Sequence, residues 1–502
     1  MRSSFKKLAL FGLGLLSLVT PASATWSIVF IDHRTGEVGI ASATCLPDID
    51  LANGLPILLV GQGVVAAQSS GVLLATAKDI RKGIKAGMTP KALISKLKGQ
   101  SGANGRQFGI ATFTGPPVTW TGNQTKASGK AWDGHTGTLG SIEYAIQGNV
   151  LAGVEVIDRA ELAFLNTPGD LGQKMLAVMQ EARRMGGDGR CSCSNSAPDS
   201  CGSPPPGFGP DDKSAHVGFM ILSRLGDDSG KCTAADGCAS GDYYLNVEFN
   251  GSVAAKDPVA VMASKYNDWR EALIGRPDAV LSQVEVESEV LLLGDESGSQ
   301  VQVRLDDVDG TPLASGGHEV TVVSTTGRPP ISHVSPIQDN GDGSYAFTLR
   351  AGSQSGGEEL EVWVDDGVRP VRLHPSLRIQ IVEAAGMVAG TDSVRVGRRH
   401  PVTLTYAGGA DLAGAPYLML GRIAGDDTSF AALTVDHAGG PFLPGTLGLF
   451  GDDGLARARF APPAGFWERH VGERLEWVTL HVDPASGRLE VSNLAGFDVE
   501  PW

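Results

Sequence analysis

A chain of 502 residues exceeds what one hydrophobic core organises, so two to four domains are expected, and 67 Gly with 28 Pro favour turn-rich β structure. The formal net charge of -15 and the lack of a basic block exclude nucleic acid as a partner, because phosphate binding needs clustered Lys and Arg to release counterions. No stretch reaches the roughly 20 apolar residues that a membrane span needs.

The chain opens with Arg2, Lys6 and Lys7 ahead of an apolar run over residues 8–19, then Pro21 and the small-residue site Ala22-x-Ala24. This is the three-part pattern of an export signal over residues 1–24. It predicts a secreted or periplasmic protein whose mature chain begins at Thr25. An N-terminal Thr is a self-sufficient nucleophile, since its Oγ can attack a carbonyl while its own α-amine, of reference pKa about 7.7–8.0, takes the proton. Exported proteins often begin with a small or polar residue, so Thr25 alone does not decide the chemistry.

Residues 25–32 and 37–44 alternate as two strands of a hairpin closed by Asp32-His33-Arg34-Thr35-Gly36, and residues 63–69 read as a strand apolar on both faces. Thr89 then suits a helix N-cap, with Pro90 at the first helical position, Met88 stapled onto Leu93, and Leu93, Ile94 and Leu97 on one face. Thr167-Pro168 repeats the cap-then-proline pattern ahead of Leu171, Met175, Val178 and Met179, with Arg183-Arg184 before a Gly186-Gly187 stop. Between these helices, residues 107–114 and 118–122 form a hairpin around Gly115-Pro116-Pro117, and residues 144–149 form a strand. Residues 215–225 and 243–249 are further strands, and residues 258–273 a closing helix. The order suits an α+β domain over 25–274 in which antiparallel sheets lie between helical layers.

Six Cys in an exported chain predict disulfides. Cys191, Cys193, Cys201, Cys232 and Cys238 crowd one segment, so an even pairing requires Cys45 to reach that cluster. The spacing lacks the two-residue gap of a zinc knuckle, and no metal or cofactor is expected.

After a Gly275-Arg276-Pro277 linker the pattern is all-β. Val301, Val303 and Leu305, then Tyr345, Phe347 and Leu349, then Leu360, Val362 and Val364 alternate with polar residues. That spacing predicts a β-sandwich over 284–383. The Asp339-Asn340-Gly341-Asp342-Gly343 run is read as a tight turn rather than a calcium loop. A second small β domain over 386–502 carries a hairpin turning at residues 483–487.

Residues 25–273 resemble the bacterial domain-of-unknown-function family 1028, which is similar in fold to the N-terminal-nucleophile hydrolases. The resemblance rests on Thr-Trp-Ser-Ile-Val at 25–29, Gly-Glu-Val-Gly-Ile-Ala at 36–41, Ala67-Gln68, Tyr-Ala-Ile-Gln-Gly-Asn-Val-Leu-Ala-Gly at 144–153 and Gly-Gly-Asp at 186–188. It implies a four-layer αββα domain with Thr25 as nucleophile, ahead of the two all-β domains read above. Residues 284–377 resemble bacterial immunoglobulin-like domains of the invasin and filamin type, through Asp-Asn-Gly-Asp-Gly-Ser-Tyr at 339–345.

An oxyanion needs donors, and Asn149 or the N–H groups around Gly148 are the candidates, while Ser27, Gln68 and His135 are polar residues that could line a substrate site. Proteasome-like relatives place an Asp and a Lys near the Thr, yet the second strand here ends Ala41-Ser42-Ala43-Thr44 with neither. Two functions follow. One is an exported hydrolase of a small amide or a peptide. The other is a non-catalytic secreted binding or surface protein that uses the same fold as a scaffold. The sequence leaves a homo-oligomer open.

Overall fold

The computed structural model describes residues 25–127, 132–193, 212–325, 329–391, 393–395, 401–424, 443–462 and 466–500. Residues 1–24, read as an export signal from the sequence, and Cys201 lie outside the described residues. The first half runs β1 (Thr25–Asp32), β2 (Val38–Thr44), α1 (Leu51–Gly54), β3 (Pro56–Leu59), β4 (Gly63–Ser69), α2 (Leu74–Lys85), α3 (Pro90–Lys98), β5 (Arg106–Thr112), β6 (Gly115–Thr121) and α4 (Asn123–Ala127). It continues with β7 (Trp132–Leu139), β8 (Ile142–Asn149), α5 (Glu155–Asn166), α6 (Leu171–Arg184), α7 (Gly189–Ser192), β9 (Val217–Ser223), β10 (Leu245–Asn250) and α8 (Pro258–Glu271).

Two antiparallel sheets result, ordered β10-β9-β2-β1-β8-β7 and β3-β4-β5-β6. Strand pleating sends alternate residues of β1 to opposite faces. Val29 and Ile31 meet Val64, Ala66 and Ala111 between the sheets. Trp26, Ile28 and Phe30 instead pack against Ile157, Phe164, Met175 and Met262 of α5, α6 and α8. The far side of the smaller sheet, with Val65 and Phe108, is covered by Ile80 and Ile84 of α2 and by Leu93 and Leu97 of α3. Being buried on both faces, β1, β2 and β4 have apolar residues at consecutive positions.

Helix α3 starts as the sequence predicts, with the Thr89 side chain accepting from the Ala92 N–H. The second predicted cap moves. Thr167 ends α5, and α6 is capped by Asp170, which exchanges hydrogen bonds with Gln173 in a capping box. The predicted Gly-Pro-Pro turn moves as well: β5 and β6 are joined at Phe113-Thr114, and Pro116 and Pro117 lie inside β6. As the edge strand of its sheet, β6 has backbone N–H groups that need no partner, so proline is tolerated there.

The second half is two β-sandwiches. In the first, Val301, Val303, Leu305, Tyr345, Phe347, Leu349, Leu360, Val362 and Val364 form one core with Ile379 and Ile381. These are the residues whose alternation predicts it. The second gathers Leu404, Tyr406, Met419, Trp477 and Phe497. The expected linker is tied to the first sandwich: the Gly275 N–H donates to Asp307 Oδ2 at 3.0 Å, and Arg276 Nε donates to Asp366 Oδ2 at 3.0 Å. Arg224 on the β9 side bonds Asp278 on the other.

Candidate functional site

Thr25 is the first residue of β1 and stands opposite Asn149, the last residue of β8. Paired residues of an antiparallel ladder project to the same face. Thr25, Ser27, Gln147 and Asn149 therefore face the inter-sheet layer, where β4 and β5 present Gln68 and Gln107.

These side chains form one uncharged, buried network. Ser27 Oγ donates to Gln68 Oε1 at 2.6 Å and accepts from Gln147 Nε2 at 2.5 Å. Gln68 Nε2 donates to the Thr25 carbonyl at 3.1 Å and to Gln107 Oε1 at 2.7 Å. The same Gln107 oxygen accepts from Asn149 Nδ2 at 3.1 Å. Gln107 Nε2 in turn donates to Thr121 Oγ1 at 2.8 Å, the Trp132 carbonyl at 2.7 Å and the Gly148 carbonyl at 3.0 Å. A carboxamide both donates and accepts, so Gln and Asn can relay hydrogen bonds through a layer that would otherwise strand polar atoms. Two acceptors, Asn149 Oδ1 and Gln147 Oε1, are buried with no hydrogen-bond partner among the described residues.

Backbone strain sits beside the network. Ser69, at the end of β4, has φ 72°, and Val150, the residue after Asn149, has φ 52°. A β-branched residue in the left-handed region is an outlier that surrounding structure must hold in place. Gly148 cannot be replaced without a shift, because a Cβ there would lie 2.5 Å from Leu151 Cδ1.

Of the residues read from the sequence, the structure brings together Thr25, Ser27, Gln68, Gly148 and Asn149. It does not bring His135 with them. His135 lies on β7 opposite Ile146, a residue of the helix-side core. Its Nε2 stands 3.2 Å from Asp158 Oδ1, and its Nδ1 pairs with Glu161, both on α5. Across from β1, the β2 positions are Ser42 and Ala43, and Ser42 Oγ donates to the Trp26 carbonyl at 2.8 Å. Sequence reasoning missed Gln107 and Gln147. The available signal was an isolated Gln inside an apolar strand, in Arg106-Gln107-Phe108 and Ile146-Gln147-Gly148.

Cys45 is disulfide-bonded to Cys191 across 146 residues with Cα atoms 5.7 Å apart, and Cys232 to Cys238; Cys193 is also disulfide-bonded. The first bridge is buttressed by fully buried Asp188, whose Oδ2 accepts from the Cys45 N–H at 2.7 Å and pairs with Arg190 at 2.8 Å. His216 lies against this bridge, and burial holds its imidazole below the ordinary range. A metal would need both sulfurs as thiolates, whereas here they are bonded to each other.

Residues 25–197 match the family of unknown function DUF1028. Residues 278–383 match invasin domain 3. No curated protein matches the chain. Among solved structures, a DUF1028 protein from Silicibacter pomeroyi is 15% identical over 49% of this chain and 89% of that one, with a TM-score of 0.34. The Yersinia pseudotuberculosis adhesin InvE is 17% identical over 45% of this chain and 61% of its own, with a TM-score of 0.19. The Escherichia coli adhesin FdeC is 11% identical over 94% and 96%, with a TM-score of 0.18. A DUF1028 region is thus followed by an invasin-type immunoglobulin-like domain. Among the described residues no helix is long and apolar enough to cross a membrane.

Proposed function

We propose that this is an exported surface-interaction protein in which the DUF1028 region is a head carried on immunoglobulin-like β domains. The observation that carries this reading is the joint between the N-terminal α+β half, which includes the DUF1028 region and is here called the head, and the invasin-type region. Arg224 of the head, buried, bonds Glu37 of the head at 2.9 Å and Asp278 of the invasin-type region at 2.7 Å, with its guanidinium 3.5 Å from the centre of the Tyr244 ring. Arg369 returns the connection, bonding Asp227 of the head at 2.6 Å. A joint of buried, charge-assisted bonds holds the two regions at a fixed angle, as a presented head requires and a freely hinged tether does not. In the host, intact cells exposed to a non-permeant amine-reactive label should yield labelled protein. Its confinement to the cytoplasm would contradict the reading.

A second reading is favoured by one observation, the placement of Thr25, the first residue of β1, beside Asn149 in a fold of two sheets between helical layers. On this reading the chain is an N-terminal-nucleophile hydrolase acting on an amide or a peptide. Cleavage after Ala24 would free the α-amine of Thr25 as base, Oγ would attack, and an Asn149 N–H would receive the oxyanion. N-terminal sequencing of the exported chain decides the first step. A mature terminus beyond Thr25 removes the nucleophile.

A further inference from the structure

Among the described residues, one sheet face of the last sandwich is exposed at one end of its strands, although Val478 and Glu476 further along the same face are buried. Strands Leu489–Val491, Arg474–Val482, Pro416–Ile423 and Leu447–Leu449 lie side by side. Their register aligns Val491, Leu480, Leu418 and Leu447 in a single row across all four strands. In the next row Leu489 stands beside Val482, and Leu449 beside Pro416. The alternate residues Tyr417, Met419 and Trp477 fill the core, so these two rows point the other way. Neither row contains a charge. Leu447, Leu449, Leu489, Val491 and Val482 are 61%, 66%, 65%, 59% and 42% exposed.

A solvated sheet face ordinarily alternates polar-out, and here it is aliphatic. The five side chains expose on the order of 500 Å² of apolar surface, the size at which a patch marks an interaction site. That is more than half of the roughly 800 Å² each partner contributes to an interface of standard size. The face ends at a polar border, where Arg422 Nε donates to Glu476 Oε2 at 2.8 Å. An apolar centre with a charged rim is the ordinary anatomy of a protein interface.

We infer that this face is the interface of a homodimer, two copies packing sheet on sheet about a two-fold axis. A sheet face patterned in rows can meet a second copy of itself, as an isologous contact requires, and stacked sheets bring such rows together at about 10 Å. The formal net charge of -15 makes two copies repel, and an uncharged face is where that repulsion opposes contact least. The composition disfavours a lipid surface: the two rows hold no aromatic belt and no Lys or Arg, and the chain is acidic overall.

The test is sedimentation equilibrium on the whole exported chain, with three single or paired variants. The wild type should be dimeric at about 10 μM. The pair Leu449→Lys and Leu489→Lys should weaken dimerisation at least about tenfold, as should the β-compatible pair Leu447→Thr and Val491→Thr, each with an unchanged far-UV spectrum. Val368→Lys, at a still more exposed apolar residue of the preceding sandwich, should leave the dimer intact. A wild type that stays monomeric to about 100 μM overturns the inference, and so does a dimer indifferent to both pairs. Co-sedimentation of a monomeric wild type with phosphatidylcholine vesicles would assign the face to a lipid surface instead.

Discussion

Arg224 Nη1 lies 2.7 Å from Asp278 Oδ2, a buried ion pair that joins the N-terminal α+β half to the invasin-type region. The cation also neutralises Glu37, whose carboxyl is pushed upward by burial against the opposing pull of Arg224. Replacing the cation while keeping the volume, Arg224→Met, leaves two buried carboxylates unmatched and should cost about 3–5 kcal/mol, read as a lower urea midpoint. Asp278→Asn should cost less, because the amide can still accept from Arg224. An unchanged midpoint in Arg224→Met would mean that the two regions do not stabilise each other.

The amide network gives a separate prediction. Gln107→Ala removes the partner of Gln68, Asn149, Thr121 and the Gly148 carbonyl at once. Each buried polar group left unpaired costs about 1–3 kcal/mol, so a loss of at least about 2 kcal/mol is expected. Thermal melts should show Gln107→Ala falling well below His135→Ala, which removes only a half-exposed partner of α5.

The Cys45–Cys191 bridge closes a long loop and pins β2 to the segment after α6. Removing it by Cys45→Ser with Cys191→Ser should lower stability by about 2–4 kcal/mol, measured by denaturant unfolding. Non-reducing peptide mapping should recover the two cysteines in one cross-linked peptide.

Acid should loosen the same joint. His374 Nε2 lies 2.6 Å from the Arg34 carbonyl, and burial holds its imidazole below its ordinary value of 6.5, with Arg372 and Arg34 acting in the same direction. The folded state therefore takes up this proton less readily than the unfolded state does. The contribution is present above pH 6.5 and is lost as pH falls below it. Melting temperatures between about pH 7.5 and 5.5 should decline more steeply for the wild type than for His374→Gln.

Much of the fold was legible because burial writes itself into sequence period. The alternation of Val301, Val303 and Leu305 against Tyr345, Phe347 and Leu349 specified one sandwich core, and consecutive apolar residues in β4 marked a strand covered on both faces, whereas β1, read as alternating, is buried along its whole length. Helix α5 was missed because its inward residues Val156, Ile157, Ala160 and Phe164 end at Thr167, where the Thr-Pro pair imitates a helix start. The site was half legible. Thr25, Ser27, Gln68 and Asn149 stand out as polar residues in apolar strands, but their meeting depends on cross-sheet packing, and Gln107 comes from a strand of the other sheet. Arg224 gave no signal at all, since its partners lie 187 and 54 residues away.

The surface-interaction reading and the hydrolase reading part at Thr25, so the most direct measurement is complementation. A host strain lacking the protein is supplied with either the wild type or Thr25→Ala, both verified as exported, and its retention on a host-cell or matrix-coated surface is compared. Thr25→Ala keeps the backbone carbonyl that Gln68 holds and deletes the hydroxyl together with the γ-methyl. The interaction reading predicts that both restore retention equally, with no labelling of either chain by an amide-directed acylating probe. Restoration by the wild type alone, together with probe labelling that requires the Thr25 hydroxyl, would contradict it and make the head an enzyme.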